Sequence, residues 1–404
     1  MSAPPAAATV APADEAGVAA CVCAAHDAGE PLLVLGHGSK LAMLRPVQAE
    51  RALSTAKLTG ITLYSPQELV LSARAGTIVA DLHEAVAERG QQITAEIPDF
   101  SALLGGAGPQ TLGGVVAANL SGPRRVAWGA MRDHVLGLRA VNGAGEVIRS
   151  GGRVLKNVTG LDLCKLLAGS HGTLAVLTEI TLKVLPAPER RATLVLRGLD
   201  PVQGVAALSA ALGSPYGVSA AAYLPAAMAA RVPGLHGACA LVRLEDFASF
   251  VAYRSERLRA DLAPLGPVET LGDAATLAAW AAVRDAAPLV DEPGAIWRVS
   301  VRPSAGPRVA AVLERMFEAR WFLDWGGGLV WVAGPATAAA HDAVCAAARE
   351  AGGTWTLLRA PQALRAPVAV IPSEPAALAA IARRVKVAFD PKGILNPGRL
   401  RAGE

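Results

Sequence analysis

The chain has 404 residues, a net charge of +4 at pH 7 and only 4% aromatic residues. This length predicts two or three domains with cores large enough to need no disulfide bonds. The basic residues are scattered and have few aromatic neighbours, which disfavours a nucleic-acid-binding protein. Apolar runs such as residues 205–212 and 376–382 are far shorter than the roughly 20 residues of a membrane span, so we expect a soluble protein.

The first 30 residues predict a flexible lead. They contain no basic stretch ahead of an apolar one, which a secretory signal peptide would have, and they carry Asp14 and Glu15. We therefore expect a cytoplasmic protein, with any attachment at the inner face of the membrane made through partners. The cysteines show no C-x-x-C spacing, which argues against an iron–sulfur cluster or a tetrahedral zinc site and favours free thiols. They are Cys21, Cys23, Cys164, Cys239 and Cys345.

In the first half, short apolar runs alternate with glycine-rich turns. A strand over residues 32–35 ends at Gly36, and "ITLYS" and "LVLSARAG" predict two more strands. Thr77 is predicted to cap a helix over residues 78–89. Further on, "VLGLRAVNGAGEVIRSGG" predicts a β-hairpin with its turn at residues 142–145. This alternation of strands and helices predicts an α+β domain.

A domain boundary is predicted near Pro186 and Pro188, because each proline blocks the continuation of a helix. Alanine-rich helices at residues 202–212 and 309–322 follow, with strands in "LVRL" and "GLVWVAG", and these predict a second α+β unit. A helix and a turn-rich tail end the chain. The predicted division is a lead at 1–30, a first domain at 31–188, a second domain at 195–375 and a C-terminal segment at 376–404.

The turn after the first strand, residues 36–40, is named here the first glycine loop. It is not a dinucleotide-binding G-x-G-x-x-G, because Leu41 stands at the sixth position, and it is not a Walker loop, because Gly-Lys occurs nowhere in the chain. Glycines that bare consecutive N–H groups, followed by a Ser hydroxyl and a Lys charge, predict a small anion-binding nest. A plain structural turn is the alternative.

A second glycine loop lies at residues 111–114, followed by Asn119 and Gly122. Glycines at the start of a helix let a ligand approach the backbone and meet the positive end of the helix dipole. Tight helix packing is the alternative, since small residues also allow it. Together the two loops predict N–H-rich walls that close on one pyrophosphate, as in a dinucleotide site.

Five stretches in this order resemble the FAD-binding oxidases of the vanillyl-alcohol oxidase and p-cresol methylhydroxylase (PCMH) type: "LGHGSK", "TLGGVVAANLSGPRR", "WGAMRDHVLGLRAVNGAGEVIRSGG", "KNVTGLDLCKLLAGSHGTLAVLTEITLKVLP" and "FDPKGILNPGRL". More narrowly, they are similar to the smaller FAD-binding subunit of bacterial glycolate oxidase complexes. The resemblance implies a two-subdomain PCMH-type FAD-binding domain and an α+β cap domain with a mainly antiparallel sheet. The C-terminal segment would return to the first domain, and the isoalloxazine ring of FAD would lie at the domain interface.

The resemblance also implies which residues hold FAD. The first glycine loop would bind the pyrophosphate, and residues 111–114, 119–122 and 169–179 would lie along the cofactor. The implied cofactor-binding residues are Gly36, His37, Gly38, Ser39, Lys40, Thr111, Leu112, Gly113, Gly114, Asn119, Gly122, Gly172, Thr173, Val176, Asn396 and Gly398. Arg132 and Asp133 would lie behind them. Relatives with covalent flavin carry a His where this chain has Ser39, so we expect non-covalent FAD, and His37 is the residue that would overturn this.

One departure from the resembling proteins concerns the substrate. The 2-hydroxy-acid dehydrogenases of the superfamily bind a metal and substrate through His-x-x-Gly-Asp-Gly-Asn-x-His. Beyond residue 171 this chain has only the isolated His236 and His341, and it has no Gly-Asp-Gly. Oxidation of a hydroxy acid needs a base for the hydroxyl proton and an Arg or metal for the carboxylate. We therefore predict no metal site and identify no catalytic residue.

Three functions stay open. The first is the FAD-binding subunit of a glycolate oxidase complex, which oxidises glycolate to glyoxylate and passes electrons through flavin to a partner iron–sulfur subunit, beside a larger FAD subunit. The second is a self-sufficient FAD-dependent 2-hydroxy-acid or alditol oxidase or dehydrogenase, with His171 as base and Arg302 or Arg359 holding the substrate. The third is a non-catalytic flavin-binding scaffold.

Four aromatic side chains have two readings each. His134 would either touch the flavin or be a hydrogen-bonded structural residue. Trp325, Trp331 and Trp355 would either line a pocket of the second unit or pack in its core.

Overall fold

Two sheets form the first part of the chain in the computed structural model, which describes residues 8–106, 108–153 and 160–403. Residues 1–7 of the predicted lead and residues 156–159 of the "KNVTG" motif lie outside the described residues. The strands here are β1 (Ala8–Val10), β2 (Leu32–Leu35), β3 (Arg51–Ser54), β4 (Ile61–Ser65), β5 (Val70–Arg74), β6 (Gln91–Ile93), β7 (Val135–Asn142), β8 (Val147–Gly151) and β9 (Ala175–Pro186). The helices are α1 (Glu15–Ala28), α2 (Val79–Ala87), α3 (Ser101–Leu104), α4 (Leu112–Ala118), α5 (Arg125–Trp128) and α6 (Leu163–Leu167).

The two sheets make two subdomains. Strands β1, β3 and β2 form a parallel sheet, in that order. Strands β4, β5, β9, β7 and β8 form an antiparallel sheet, and β6 pairs with the far end of β9. The β7–β8 hairpin turns at residues 142–145, where Gly145 N donates to Asn142 O, so the hairpin prediction is confirmed.

The N-terminal segment is folded from Ala8 onward, so the expectation of a flexible lead does not hold there. The Asp14 carboxylate accepts a hydrogen bond from Gly17 N and caps α1, and the chain leaves the helix at Gly29 with a left-handed backbone. Val18, Val22 and Ala25 are fully buried against the parallel sheet. Their spacing puts them on one face of the helix, a signal that the alanine-rich composition conceals.

One eight-stranded antiparallel sheet forms the second part of the chain, as predicted for the cap domain. Its order among the described residues is β13-β10-β12-β11-β15-β16-β14-β17. The strands are β10 (Arg190–Arg197), β11 (Ala220–Leu224), β12 (Cys239–Asp246), β13 (Val268–Leu271), β14 (Ala295–Ser300), β15 (Arg320–Asp324), β16 (Leu329–Gly334) and β17 (Thr354–Arg359). The helices are α7 (Pro201–Leu212), α8 (Ala226–Ala229), α9 (Ala248–Leu262), α10 (Asp273–Arg284), α11 (Gly306–Met316), α12 (Ala338–Glu350), α13 (Gln362–Arg365) and α14 (Ala376–Phe389).

Two helix predictions need correction. The helix expected at 309–322 ends at Met316, because Phe317 takes an extended backbone and the following residues pair with β16 as strand β15. Thr77 does not cap α2; its hydroxyl donates to Arg74 O at 2.7 Å and accepts from Gly60 N at 3.0 Å. The N-cap position belongs to Ile78. In both places a tertiary pairing overrides the local propensity.

The C-terminal segment returns to the first domain. Leu395 pairs with Leu32 beside the parallel sheet, and Asn396 N donates to Leu32 O. This return was implied by the resemblance, and it brings the tail beside the first glycine loop. Among the described residues, none of the helices has both the length and the apolar character needed to cross a membrane.

Buried ion pairs join the two domains. Arg243 on β12 donates to both carboxylate oxygens of Glu96 at 2.7 and 2.9 Å. Arg124, from the first domain, donates to both oxygens of Glu245 at 2.9 and 2.6 Å. All four residues are buried. Because each bidentate pair crosses from one domain to the other, this network fixes the domains in register.

Candidate functional site

An open cavity lies between strand β2, helix α4, the start of β9 and the C-terminal tail. Three loops reach it: the first and second glycine loops and a third loop at residues 169–173. Of the residues implied by the resemblance, those that line the cavity are Gly36, His37, Gly38, Ser39, Lys40, Thr111, Gly113, Gly114, Gly172, Val176 and Asn396.

The first glycine loop presents free hydrogen-bond donors. None of the backbone N–H groups in residues 36–40 donates to an acceptor among the described residues. The Lys40 ammonium donates to Ser39 Oγ at 3.2 Å. Burial lowers the pKa of Lys40 to about 8, and the attraction of Asp99 only partly offsets this. Free N–H groups beside a desolvated cation form a site for an anion, as the sequence predicts.

The second glycine loop approaches the first one closely. A Cβ on Gly36 would overlap the Thr111 hydroxyl and come within 3.0 Å of its methyl group, so only glycine fits there. The expectation that both loops offer free N–H groups is wrong for the second loop. Leu112 N donates to Thr77 O, Gly113 N to Ala75 O, and Gly114 N to the Thr111 hydroxyl. The glycines of this loop therefore supply close approach rather than donors.

The third loop is tied to the tail by Asn396. The Asn396 Oδ1 accepts from Val34 N at 2.8 Å, and its Nδ2 donates to Val34 O at 3.2 Å and to His171 O at 2.9 Å. A Cβ on Gly172, which has φ +70°, would come within 2.8 Å of that Nδ2. Asn396 thus sets the spacing of two cavity walls, a role that the motif alone does not reveal.

His171 lies in the cavity wall with a left-handed backbone, φ 53°. Burial, with repulsion from Arg399, lowers its pKa to about 3. A group with so low a pKa takes up protons poorly near pH 7. The structure therefore gives no support to His171 as the base of a self-sufficient oxidase.

Five implied residues do not line the cavity, namely Leu112, Asn119, Gly122, Thr173 and Gly398. Leu112 points into the core and is fully buried. Asn119 ends α4 in a left-handed conformation, and its Oδ1 accepts from Arg132 N at 3.0 Å. The Thr173 hydroxyl donates to Ser170 O within the third loop.

Gly122 lies at the domain interface instead. A Cβ there would come within 2.5 Å of Glu96 O, and Gly122 O accepts from the indole of Trp325 at 3.2 Å. Gly398 takes φ +74°, a turn conformation that favours glycine. Backbone packing and turn geometry account for these two glycines. The sequence motif alone does not distinguish such a glycine from one that contacts a ligand.

The sequence did not single out the remaining lining residues as cofactor contacts, although His171, Ala175 and Leu177 lie within the stretch 169–179 that the resemblance places along the cofactor. The remaining lining residues are Leu33, Val34, Leu35, Leu41, Thr55, Ala117, Ala118, His171, Ala175, Leu177 and Arg399. Most are apolar residues, and an apolar residue type does not by itself indicate contact with a cofactor. Thr55, His171 and Arg399 are the polar ones, and Arg399 stands inside the quoted "LNPGRL". It donates to Lys40 O at 2.8 Å and to Arg45 O at 3.1 Å, and burial lowers its pKa to about 10.

Arg302, Arg359 and His134, which the sequence offered as candidate functional residues, do not line the cavity. Arg302 is exposed, and Arg359 donates to the carbonyl oxygens of Leu103, Val290 and Glu292. His134 is buried, and neither ring nitrogen has a hydrogen-bond partner at 3.5 Å or less among the described residues.

The three tryptophans differ in their burial, and the cysteines do not form disulfide bonds. Trp331 and Trp355 are buried in the second domain, whereas Trp325 is partly buried at the interface. The cysteines are all free thiols, as predicted. In the part of the chain that the structure describes, no three His, Cys, Asp or Glu residues are grouped to hold a metal.

Comparisons with known proteins agree with this geometry. A family model described as "FAD binding domain" matches residues 6–151, and one described as "FAD linked oxidases, C-terminal domain" matches residues 373–400. Glycolate oxidase subunit GlcE of Escherichia coli (strain K12) is 34% identical over 92% of this chain and 93% of its own length. Glycolate oxidase subunit GlcD of Bacillus subtilis (strain 168) is 32% identical over 45% of this chain and 37% of its own length.

A comparison with a solved structure supports the fold. The 4-ethylphenol oxidase from Gulosibacter chungangensis matches with a TM-score of 0.71 at 15% identity, over 98% of this chain and 89% of that one. That likeness supports the PCMH-type architecture, and the similarity to GlcE extends it to sequence. The chain therefore belongs to the FAD-linked oxidase family that includes glycolate oxidase subunit GlcE, and its cofactor is FAD.

Proposed function

We propose that this chain is the FAD-binding subunit of a glycolate oxidase complex, which oxidises glycolate to glyoxylate and passes electrons through flavin to a partner iron–sulfur subunit. The observation that carries this proposal is the similarity to GlcE, 34% identity over 92% of the chain. The cavity is consistent with it, because free N–H groups beside a buried cation suit the diphosphate of FAD.

We assign the residues of the cavity to binding and orientation. When bound, FAD supplies the redox chemistry itself. The N–H groups of the first glycine loop and the Lys40 ammonium would hold the diphosphate, without a covalent bond from Ser39 or His37. Gly113 and Gly172 would leave room for the cofactor against the second and third loops. Asn396 would act indirectly, by holding β2 and the third loop at a fixed spacing.

Support for a self-sufficient oxidase is weaker. His171 has a pKa of about 3, and Arg359 is bound to three carbonyl oxygens. Neither residue is suited to the base or the substrate clamp that this reaction would need. We therefore propose that turnover depends on partner subunits, a larger FAD subunit and an iron–sulfur subunit, on the cytoplasmic side of the membrane.

An anaerobic absorbance spectrum of the FAD-loaded chain tests this function. Glycolate is added first to the chain alone and then to the chain with its partner subunits. We expect the flavin band to stay oxidised in the first case and to bleach in the second. Bleaching in the chain alone would contradict the dependence on partners. A flavin that stays oxidised even with partners would contradict the glycolate oxidase assignment.

A further inference from the structure

Two arginines at the domain interface form no ion pair with any residue that the structure describes. Arg125 begins α5 in the first domain, and Arg298 lies on β14 in the second. Among the described residues, neither guanidinium donates a hydrogen bond and neither has a carboxylate within 4.0 Å. The Arg298 Nε is buried and has no acceptor. Both side chains are half-buried, and charges withdrawn from water in proteins are normally paired, so this arrangement calls for an explanation.

Both guanidinium groups lie over the same indole. Arg125 Cζ is 4.7 Å and Arg298 Cζ is 5.4 Å from the centre of the Trp325 ring, and Arg298 Cζ is also 5.0 Å from the centre of the Trp331 ring. Cation–π attraction orients the two groups. It gives them no hydrogen-bond acceptor, so their donors remain available.

The indole of Trp325 is held rigidly in place. Its Nε1 donates to Gly122 O of the first domain at 3.2 Å, and its backbone N donates to Asp324 Oδ1 at 2.7 Å. Trp325 also has φ 53°, a left-handed backbone that costs a non-glycine residue of order 1–3 kcal/mol and is concentrated at functional sites. The indole that both arginines contact is therefore positioned by the protein itself.

No ion pair among the described residues balances the charge of either arginine, although Asp133 attracts Arg125 from beyond 4.0 Å. Burial and the repulsion of Arg125 lower the pKa of Arg298 to about 10. The buried Asp324 lies beyond ion-pair distance of both arginines, and burial raises its pKa to about 7, so it balances them poorly. By contrast, the neighbouring Arg243 and Arg124 are matched by Glu96 and Glu245.

Arg125 follows the cavity wall formed by α4 along the chain, and neither arginine lines the cavity itself. Gly113, Ala117 and Ala118 of that helix line the cavity, and the chain then runs through Gly122 to Arg125. The donors that suit a phosphate, free N–H groups and Lys40, are at the first glycine loop instead. Planar guanidinium groups suit a carboxylate through paired hydrogen bonds.

We propose that Arg125 and Arg298 bind the carboxylate of a small acid between the two domains. That this acid is the 2-hydroxy-acid substrate rests on the proposed function, whereas the binding of a small carboxylate does not. Each domain contributes one arginine, so the site exists only where the domains meet.

Isothermal titration of the FAD-loaded chain with oxalate tests this proposal, because oxalate carries carboxylates and has no CH–OH group to oxidise. We expect one oxalate per chain, and binding weaker by about tenfold or more in Arg125→Gln and in Arg298→Gln, as expected when a hydrogen bond to a charged group is lost. Arg315→Gln is the matched control, since Arg315 is an exposed arginine of helix α11 in the same domain as Arg298. It should bind oxalate like the wild type.

Folding is controlled separately. Arg298→Gln loses no hydrogen bond or ion pair among the described residues and gives up only the cation–π contacts with Trp325 and Trp331, so it should melt close to the wild-type temperature. Arg298→Lys should bind oxalate with intermediate affinity. The proposal is overturned if the wild type binds no oxalate, if the two variants bind it as the wild type does, or if inorganic phosphate binds equally well. A chain that takes up no FAD would contradict the proposed function, and the same titration on the FAD-free chain would still test the arginine pair.

Discussion

Replacing Lys40 by methionine removes a cation that the fold holds in the FAD cavity with no ion-pair partner among the described residues. Burial lowers the pKa of Lys40 from 10.5 to about 8. At about 1.4 kcal/mol per pKa unit, the FAD-free protein holds this ammonium at a cost of about 3 kcal/mol. Below pH 8 both the folded and the unfolded chain are protonated, so the full cost is present at pH 7. We therefore expect Lys40→Met to raise the free energy of unfolding of the FAD-free chain, by up to about 3 kcal/mol.

The pH dependence has a definite sign. Between pH 8 and 10.5 the unfolded chain binds this proton and the folded chain does not, so wild-type stability rises with pH across that window. The difference between Lys40→Met and wild type should therefore shrink above pH 8. With FAD bound, we expect the wild type to be favoured over Lys40→Met, because the Lys40 ammonium gains an anionic partner. Loss of a hydrogen bond to a charged group weakens FAD binding by roughly tenfold to a hundredfold.

Urea unfolding of the FAD-free proteins at pH 7 and pH 10, with FAD titration at pH 7, measures both effects. Lys57→Met is the matched control, because Lys57 is exposed in a loop of the same domain. It should change neither quantity appreciably. The reasoning is refuted if Lys40→Met lowers stability in the FAD-free state and leaves FAD affinity unchanged.

Three further substitutions test the walls and the domain interface. Gly36→Ala places a Cβ against the Thr111 side chain, so we expect about 1–3 kcal/mol lower stability in urea unfolding, and Thr111→Ala in the same chain should restore part of it. Asn396→Ala leaves two carbonyls and one N–H unpaired, so stability should fall by about 2–4 kcal/mol with weaker FAD binding in titrations. The pKa of Glu245 is held at about 2 by its two arginines, so its stabilising effect is present above pH 4.5 and is lost as the pH falls toward 2. Glu245→Gln should therefore destabilise the protein at pH 7 and flatten its acid unfolding curve in that window, whereas an unchanged curve would contradict the role of the network.

The sequence predicts the first domain well, because its signals are local. The strand that ends at Gly36 and the hairpin turn at residues 142–145 depend on residues next to each other in the chain. The first glycine loop faces the cavity with free N–H groups, as its glycines suggest. Where the signal was a spacing within a helix, as for Val18 and Val22 in α1, the alanine-rich composition concealed it.

The rest depends on contacts between distant parts of the chain. The helix expected at 309–322 ends early because β15 finds its partner in β16. The role of Asn396 requires β2 and the third loop to meet at one amide, although they lie 362 and 225 residues away from it along the chain. The convergence of Arg125 and Arg298 on Trp325 needs both domains in place. No pattern of neighbouring residues in the sequence predicts where these distant residues come into contact.

A crystal structure of the chain loaded with FAD tests the central claim most directly. We expect the diphosphate against the N–H groups of the first glycine loop and the Lys40 ammonium, with no covalent bond to His37 or Ser39. A cofactor bound elsewhere, or a chain that takes up no FAD, would contradict the assignment of this cavity.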